Sequence, residues 1–312
     1  MNLRDLQYLV AVADHRHFGR AAQACYVSQP TLSTQIKKLE GYLGVQLVER
    51  TNRQVLLTPI GARIAERARG VLNDVSDLVA LAKASGDAME GELRLGLIPT
   101  VAPYLLPHLI PPLRSRYERL RPLLYEEQTA HLVERLRRGE IDAGIMAVPA
   151  GDDSLPYITL FTEPFYLAVP RDHPLAVKPE ITVEDLATER LLLLEEGHCL
   201  RDQALDVCRM AGAREDAGFR ATSLETLRQM VASGAGITLL PALAVEGNAS
   251  LSSGSGLVYR PFVGDPPARE MAIYYRRGSA REPTVQTLAE VIRGLRAVTA
   301  LAGETAAVPD IA

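Results

Sequence analysis

The sequence predicts an α/β protein in two parts, a small helical head and a larger body of alternating strands and helices. Three observations lead to this prediction. Apolar residues recur at helical spacing through the first sixty residues, and a single long helical pattern follows them. The remainder alternates short apolar runs with amphipathic segments. A length of 312 residues also fits two domains of ordinary size better than one.

Composition and charge exclude several classes of protein. Apolar residues make up 47% of the chain and charged residues 23%, which excludes disordered and collagen-like chains. The sequence contains no run of eighteen apolar residues and no signal-peptide pattern, so we expect a cytoplasmic protein. The net charge is −4, yet residues 1–72 hold ten Lys and Arg against five Asp and Glu. A basic head on an acidic body predicts a phosphate-facing module attached to a domain with another task.

Three helices and a hairpin are predicted in the head. The first two helices are marked by Leu3, Leu6, Leu9, Val10 and Ala13 and by the stretch from about Gly19 to Cys25. Ser28 or Gln29 can cap a third helix, and Pro30 fits its first position because its missing N–H would be unpaired there. Residues 45–50 and 55–58 flank the segment Thr51-Asn52-Arg53-Gln54, which predicts a short hairpin with a basic tip.

A helix, a tight turn and a capped helix with a polar outer face are typical of a helix-turn-helix that reads the DNA major groove. Leu32, Ile36, Leu39 and Leu43 share the inner face of the third helix. The alternative is a three-helix subdomain whose polar face is only solvated. The predicted DNA contacts are Gln29, Pro30, Thr31, Ser33, Thr34 and Lys37 near the bases, with Lys38, Arg50 and Arg53 at the phosphates.

One long helix is predicted from Pro59 until Ser85-Gly86-Asp87 ends it. Apolar residues alternate at spacings of four and three for about three heptads, which indicates a helical dimer seam. The seam residues are Ile64, Ala68, Val71, Val75, Leu78 and Ala82.

The body is predicted to contain βαβ units in mostly parallel sheets, with two lobes and a cleft near the strand C-termini. The predicted strands are Leu93–Ile98, Ala143–Val148, Phe165–Val169, Leu191–Leu194, Gly236–Leu240 and Ala272–Tyr275. The predicted helices lie around Pro103–Leu120, His131–Arg138, Leu200–Met210, Leu224–Ser233 and Thr284–Leu301. Thr222 and Glu225 predict a capping box before the fourth of these helices. Residues from Gly303 onward are predicted to form a frayed tail.

Two cysteines of the body are candidates for redox chemistry. Cys199 lies between a predicted strand and a predicted helix, where unpaired N–H groups, Arg201 and a protonated His198 would favour the reactive thiolate. The alternative is a small buried residue. Cys208 lies on an apolar helical face, and a continuous helix would hold its Cα about 13 Å from that of Cys199. A disulfide needs about 4.4 to 6.8 Å, so bonding these two would require local unwinding.

Other chemistry has weaker signals. Cys25 lies beside Ala21 and Ala22, where packing is the expected role. Zinc is not expected, because the interval from Cys199 to Cys208 exceeds the usual ligand spacing. The sequence contains no phosphate-binding glycine loop and no serine elbow, so we predict no enzyme and no cofactor.

The head resembles the winged helix-turn-helix of LysR-type transcriptional regulators. The matching residues are Phe18, Ala21-Ala22, residues 27–33, Gln35-Ile36, Leu39-Glu40, Leu43-Gly44, Leu47-Val48, Arg50 and Thr58-Pro59-Ile60-Gly61. The resemblance extends along the chain and implies a DNA-binding domain at 1–58, a dimerising linker helix at 59–86, a two-lobed effector domain similar to periplasmic binding proteins at 87–302, and a tail at 303–312. It also implies homo-oligomers, usually tetramers, on paired DNA half-sites.

Residues 197–204 with Cys208, and residues 219–227, resemble the peroxide-sensing members of that family. This resemblance implies that Cys199 is the peroxidatic thiol, that Cys208 resolves it in a reversible disulfide, and that Thr100, Thr129 and His198 bind the peroxide. From the residues alone, Thr100 is equally well explained as a helix cap, and Thr129 has no motif of its own. The implied partners are promoter DNA, RNA polymerase and a glutaredoxin or thioredoxin system.

Two alternatives to a peroxide-responsive activator of oxidative-stress defence genes remain at this level. One is a regulator of the same family that binds an organic acid in the interlobe cleft and has structural cysteines. The other is a thiol peroxidase that carries a DNA-binding domain. The effect of Cys199→Ser on the DNA response separates the first, and sustained turnover with a reductant separates the second.

Overall fold

The computed structural model describes residues 1–50, 55–83, 88–178, 180–246 and 256–303. The chain divides into two compact units, Met1–Ser85 and Gly86–Ala312. The first unit contains the predicted head and long helix. Its elements are α1 (Leu3–His15), α2 (Phe18–Ala24), α3 (Gln29–Leu43), β1 (Val48–Arg50), β2 (Val55–Leu57) and α4 (Pro59–Lys83).

The head is a three-helix core with a β-hairpin. Leu9, Leu32 and Ile36 are fully buried at its centre, as the helical periodicity predicts. The Ser28 hydroxyl accepts a hydrogen bond from the Thr31 N–H and caps α3, so that Gln29 is the first helical residue. β1 and β2 pair antiparallel and confirm the predicted hairpin. The predicted basic tip, Thr51-Asn52-Arg53-Gln54, lies outside the described residues.

The seam prediction for the long helix is partly wrong. The beginning of α4 packs within its own unit, where Ile64 contacts the head core and Ala68 is buried. Arg69 of this part of the helix pairs with Asp14 of α1 at 2.7 Å. Further along, Val71 and Leu78 are exposed, and the side chain of Ala82 lies outside the described part of the chain. The first two seam positions are therefore already used by the head.

The second unit has two hydrophobic cores, and these define two lobes. The first core is built by β3 (Gly91–Leu97), α5 (Ala102–Arg116), β4 (Leu120–Glu126), α6 (Thr129–Arg138), β5 (Ala143–Ala147), the beginning of β6 (Tyr157–Pro170), β11 (Ala268–Tyr275), α10 (Glu282–Arg293) and α11 (Arg296–Gly303). The second is built by the end of β6, β7 (Arg190–Leu194), α7 (Cys199–Ala211), β8 (Arg214–Ala221), α8 (Leu224–Ala232), β9 (Thr238–Pro241) and β10 (Leu257–Pro261). α9 (Ala242–Glu246) contributes to both.

The sheets are mixed, not mostly parallel as predicted. β3 pairs parallel with β4 and β5, and β7 pairs parallel with β8. The long strand β6 pairs antiparallel with β11, β9 and β10, and β11 also pairs antiparallel with β5. β6 carries the chain from the first lobe to the second, because its beginning lies in the first core and its end in the second. The parallel strands end together where their loops face the second lobe.

Three local predictions for the body are corrected by the structure. Strands β4, β8 and β10 are not predicted from the sequence. β4 and β8 alternate poorly, and β8 contains four charged residues. The predicted helix at 284–301 is interrupted at Gly294, which ends α10. The cap of α8 is Ser223, whose hydroxyl accepts from the Thr226 N–H, so the predicted capping box of Thr222 and Glu225 is wrong. Glu225 pairs with Arg228 instead.

Candidate redox site and DNA-binding face

Cys199 is the first residue of α7 and lies at the junction of the two lobes. Strand β7 ends at Leu194, and Gly197 turns the chain with a φ of +95° before the helix begins. His198 precedes the helix with an extended backbone, and its side chain, 6% exposed, makes no capping hydrogen bond. Although α7 belongs to the second lobe, the half-buried Cys199 thiol packs against the core of the first. Cys199 is therefore a point of contact between the two lobes.

A narrow cleft brings together residues that the sequence places a hundred positions apart. The loop after β3, the beginning of α6 and the turn before α7 form its walls. All four residues expected to handle peroxide line it: Thr100, Thr129, His198 and Cys199. Gln128 completes the wall opposite Gly197. The cleft lies at the carboxyl ends of β3, β4 and β7, the edge that the α/β pattern predicts for a ligand.

Thr129 offers an unpaired hydroxyl in this cleft. Its Oγ1 is buried and, among the described residues, has no hydrogen-bond partner. An unpaired buried hydroxyl costs free energy, about 1 to 3 kcal/mol, unless a ligand or water satisfies it. Gln203 lies one helical turn beyond Cys199 on α7, and its buried side-chain oxygen also has no hydrogen-bond partner among the described residues. Gln203 is not predicted as a site residue, because a glutamine within an amphipathic helix carries no chemical signal of its own.

Thr100 does not cap a helix, so that interpretation is wrong. Val101 precedes α5, which has no side-chain cap. The Thr100 hydroxyl instead accepts a hydrogen bond of 2.9 Å from Nη1 of Arg269, and its carbonyl accepts one of 3.1 Å from Nη2. Arg269, on β11, is paired with Glu163 of β6 at 2.8 Å, and both side chains are fully buried. Neither residue is predicted from the sequence, although a charge inside an otherwise apolar strand is a usable signal.

Arg201 has a different role from the one expected. Its guanidinium forms two hydrogen bonds with the carboxylate of Glu215, at 2.8 and 2.9 Å, and a third with the Leu194 carbonyl at 3.1 Å. The hydrogen bonds that Arg201 donates to Glu215 raise the pKa of Arg201 and lower the pKa of Glu215. Because its charge is already balanced by Glu215, Arg201 ties α7 to β7 and β8 and does not serve as an uncompensated cation for the thiol.

Cys208 is held away from Cys199 by an intact helix. α7 runs without interruption from Cys199 to Ala211, so the two Cα atoms are about 13 Å apart at the usual rise per residue. The Cys208 side chain lies in the second core and is 3% exposed. Burial, and secondarily the charge of Glu215, raises the pKa of the Cys208 thiol. Both body cysteines are free thiols in this structure.

Cys25 follows α2 and packs, partly buried, against the head core. Burial raises the pKa of its thiol, so this cysteine is poorly suited to react as a thiolate. Within the described ranges, no cluster of His, Cys, Asp and Glu could hold a metal ion. Over the same part of the chain, no helix is both long enough and apolar enough to cross a membrane.

The outer face of α3 presents the predicted DNA contacts. Thr31 shares a hydrogen bond of 2.7 Å with the capping Ser28, and Ser33 is half-buried. The other candidates on this helix are exposed: Gln29, Pro30, Thr34, Lys37 and Lys38. Arg50 ends β1, but its side chain, like the whole of Arg53, lies outside the described residues. A polar and basic helix face with an apolar back has the form that a recognition helix requires.

A helix-turn-helix head on a two-lobed α/β body defines a signal-responsive DNA-binding regulator. Residues 3–62 match the family model described as "Bacterial regulatory helix-turn-helix protein, lysR family", and residues 86–296 match that of the "LysR substrate binding domain". The chain belongs to the LysR family of transcriptional regulators.

Relatives within this family share nearly the whole chain. The DNA-binding transcriptional dual regulator OxyR of Escherichia coli K12 is 51% identical over 293 residues, which are 94% of this chain and 95% of that protein. The structure of full-length OxyR from Pseudomonas aeruginosa is 40% identical with a TM-score of 0.79, covering 96% of this chain and 97% of that one. A hydrogen-peroxide-bound mutant of Corynebacterium glutamicum OxyR is 34% identical with a TM-score of 0.66, covering 100% and 98%.

Proposed function

We propose that this chain is a hydrogen-peroxide-responsive transcriptional regulator, switched by a reversible disulfide between Cys199 and Cys208. The observation that carries the proposal is the cleft at the start of α7, where the Cys199 thiol shares its walls with Thr100 and with the unpaired hydroxyl of Thr129. The relatives named for peroxide response, and the peroxide-bound structure among them, support the choice of ligand.

The chemistry consists of two displacements at sulfur. In the first, the Cys199 thiolate attacks one oxygen of hydrogen peroxide, the O–O bond breaks, and the departing hydroxide takes up a proton to become water. Hydroxyl groups help this step by donating hydrogen bonds to the oxygen on which charge develops. In this proposal Thr100 and Thr129 donate these hydrogen bonds, and His198 forms part of the wall of the cleft. In the second step, the Cys208 sulfur attacks the resulting sulfenic acid, and a second water leaves.

The second displacement requires α7 to open. About 13 Å separates the Cα atoms of the two cysteines in the helix, whereas a disulfide needs about 4.4 to 6.8 Å. Opening α7 takes Cys208 out of the second core and disturbs the pairing of Arg201 with Glu215. The free energy of the new bond drives a local refolding, which is the logic of a redox switch.

The regulator acts on DNA as a homo-oligomer, in our proposal a dimer of dimers. The exposed face of α3 enters the major groove, and exposed Val71 and Leu78 of α4 contribute to the protomer interface. Refolding of α7 then changes the spacing of paired recognition helices. We assign 1–58 to DNA binding, 59–86 to dimerisation, 87–302 to sensing and 303–312 to the tail. In this proposal RNA polymerase is the partner in transcription, and a glutaredoxin or thioredoxin system reduces the disulfide.

Mass spectrometry of the fully reduced protein after one equivalent of hydrogen peroxide tests this proposal. We expect a rapid Cys199–Cys208 disulfide that is absent from Cys199→Ser and from Cys208→Ser. Cys25→Ser is the matched control and should react as the wild type does. If both thiols stay free while DNA binding is intact, the switch is wrong and the signal is a small ligand in the cleft. Sustained peroxide turnover with a reductant would instead indicate a peroxidase.

A further inference from the structure

A fully buried ion pair contacts Thr100, one of the residues that line the cleft. Arg269 of β11 and Glu163 of β6 are both 0% exposed, and their charged groups are 2.8 Å apart. Glu163 uses Oε2 for the Nε–H and Nη2–H groups of Arg269, and Oε1 for the backbone N–H of Leu243 at 2.8 Å. Burial of such a pair seldom stabilises a fold more than apolar packing would. Its geometry therefore calls for an explanation other than stability.

The pair determines which way the Thr100 hydroxyl points. Arginine has only donors, so the 2.9 Å bond between its Nη1 and Thr100 Oγ1 makes the threonine oxygen the acceptor. The hydroxyl proton is then left to donate elsewhere. Among the described residues the structure gives this hydroxyl no acceptor, and Thr100 lines the cleft beside Cys199. Thr100 is thus preset as a donor to a ligand oxygen in that cleft.

We infer that Glu163 is a positioning residue for the reaction of Cys199 with peroxide, acting through Arg269 on Thr100. Glu163 fixes the Nε and Nη2 edge of the guanidinium, which leaves Nη1 aimed at the threonine hydroxyl. Without the carboxylate, the buried Arg269 has no counter-charge, and the direction of the Thr100 hydroxyl is no longer fixed. This inference rests on the proposed function, because it assumes that peroxide is the ligand of the cleft.

The test compares two reagents at the same thiol in the Cys208→Ser background, which isolates the first displacement. Hydrogen peroxide needs a donor for its departing oxygen, whereas iodoacetamide alkylates the thiolate without one. For Glu163→Gln we expect the peroxide rate constant to fall at least about tenfold. This decrease is smaller than the one caused by deleting an oxyanion-hole donor, because the Thr100 hydroxyl itself remains. The iodoacetamide rate should stay within about twofold, since the cysteine itself is untouched.

Three further variants separate positioning from general damage. In a Thr100→Val background, Glu163→Gln should have little further effect, because the hydroxyl through which Glu163 acts is already absent. Thr100→Ser keeps the hydroxyl and should retain most of the peroxide rate. Asp142→Asn disrupts another ion pair of the first lobe, with Arg94 at 2.8 Å, and should leave the ratio of the two rates unchanged.

The possible outcomes are distinguishable. The inference is overturned if the peroxide and iodoacetamide rates fall together, if neither falls, or if the effects of E163Q and T100V are additive. Should E163Q not fold, the Glu163→Leu, Arg269→Met double variant removes both charges and should show the same selective loss of peroxide rate. Failure of the proposed function looks different, because the Cys208→Ser protein would then not react with peroxide even with Glu163 intact.

Discussion

At the residue scale, the two body cysteines differ in the way that a two-step thiol reaction requires. Cys199 is half-buried at a cleft with hydroxyl groups beside it, whereas Cys208 is buried in the second core. Burial raises the pKa of the Cys208 thiol, so the thiolate that would react with peroxide is disfavoured there. In the proposed reaction, this burial keeps Cys208 from reacting before Cys199.

This difference predicts the pH dependence of Cys208 alkylation. In a Cys25→Ser, Cys199→Ser variant, only Cys208 can react with iodoacetamide, and only as the thiolate. Because its pKa is raised, the rate should stay low through neutral pH and rise with a midpoint above that of free cysteine. Alkylation followed by mass spectrometry across the alkaline range measures that midpoint. A midpoint at or below the free-cysteine value contradicts the burial argument.

The cleft residues that carry a chemical signal are predictable from the sequence, whereas the residues that support them are not. Cys199 was identified by its place before a helix, and Thr100 and Thr129 only through the resemblance to the peroxide-sensing members of the family. Arg269 and Glu163 belong to strands far along the chain, and no local spacing links them to Thr100. Their one sequence signal is that they are charged residues inside otherwise apolar strands, β11 and β6.

At the element scale, helix α7 lies between two glycines with positive φ, Gly197 at +95° and Gly212 at +75°. Both adopt a backbone conformation that other residues reach only at a cost. They differ in their surroundings. A Cβ on Gly197 would lie 2.6 Å from the side-chain oxygen of Gln128 in the cleft wall, whereas a Cβ on Gly212 would meet nothing within 4 Å.

These glycines predict two substitutions that share the backbone strain and differ in their chemistry. Gly212→Ala should lower the free energy of unfolding by about 1 to 2 kcal/mol, and Gly197→Ala by at least as much because Gln128 must also move, measured by urea denaturation. Gly197→Ala should in addition displace Gln128 and slow the peroxide reaction of Cys199. Gly212→Ala should leave that rate unchanged. Equal peroxide rates in the two variants would mean that Gln128 has no influence on the cleft.

Elements with a strong local signal were predicted well, and those defined by their neighbours were not. The cap and the apolar face locate α3, and the strand-to-helix turn locates α7 within a residue of its observed start. Strand β8 has three charged residues in its first four positions and forms only because β7 lies beside it. A strand that forms because of such tertiary pairing need not show alternating apolar and polar residues in the sequence.

At the scale of the whole molecule, positive charge for DNA is concentrated in the head while the body is acidic. Replacing Lys37 on the exposed face of α3 should remove about one phosphate or base contact. Lys37→Ala is therefore expected to weaken DNA binding and to reduce the slope of log affinity against log salt by about one. The rate of Cys199 oxidation should not change.

Arg121→Ala provides the matched control for this prediction. Arg121 is exposed on β4 of the body, and its loss lowers the net charge by the same amount. Fluorescence anisotropy with promoter DNA across a salt series measures both slopes. If the two substitutions shift the slope equally, the effect comes from overall charge and the assignment of Lys37 to the interface is wrong.

The path of the chain through the two lobes also constrains the order in which the protein can fold during its synthesis. β5 of the first lobe pairs with β11, whose residues are made about 125 positions later, while most of the second lobe lies between them. At about 5 to 20 residues per second, the ribosome takes several seconds to supply that partner strand. Because Arg269 arrives on β11, the head and most of the second lobe emerge before Thr100 can receive its hydrogen bond, so the candidate cleft is completed late in synthesis.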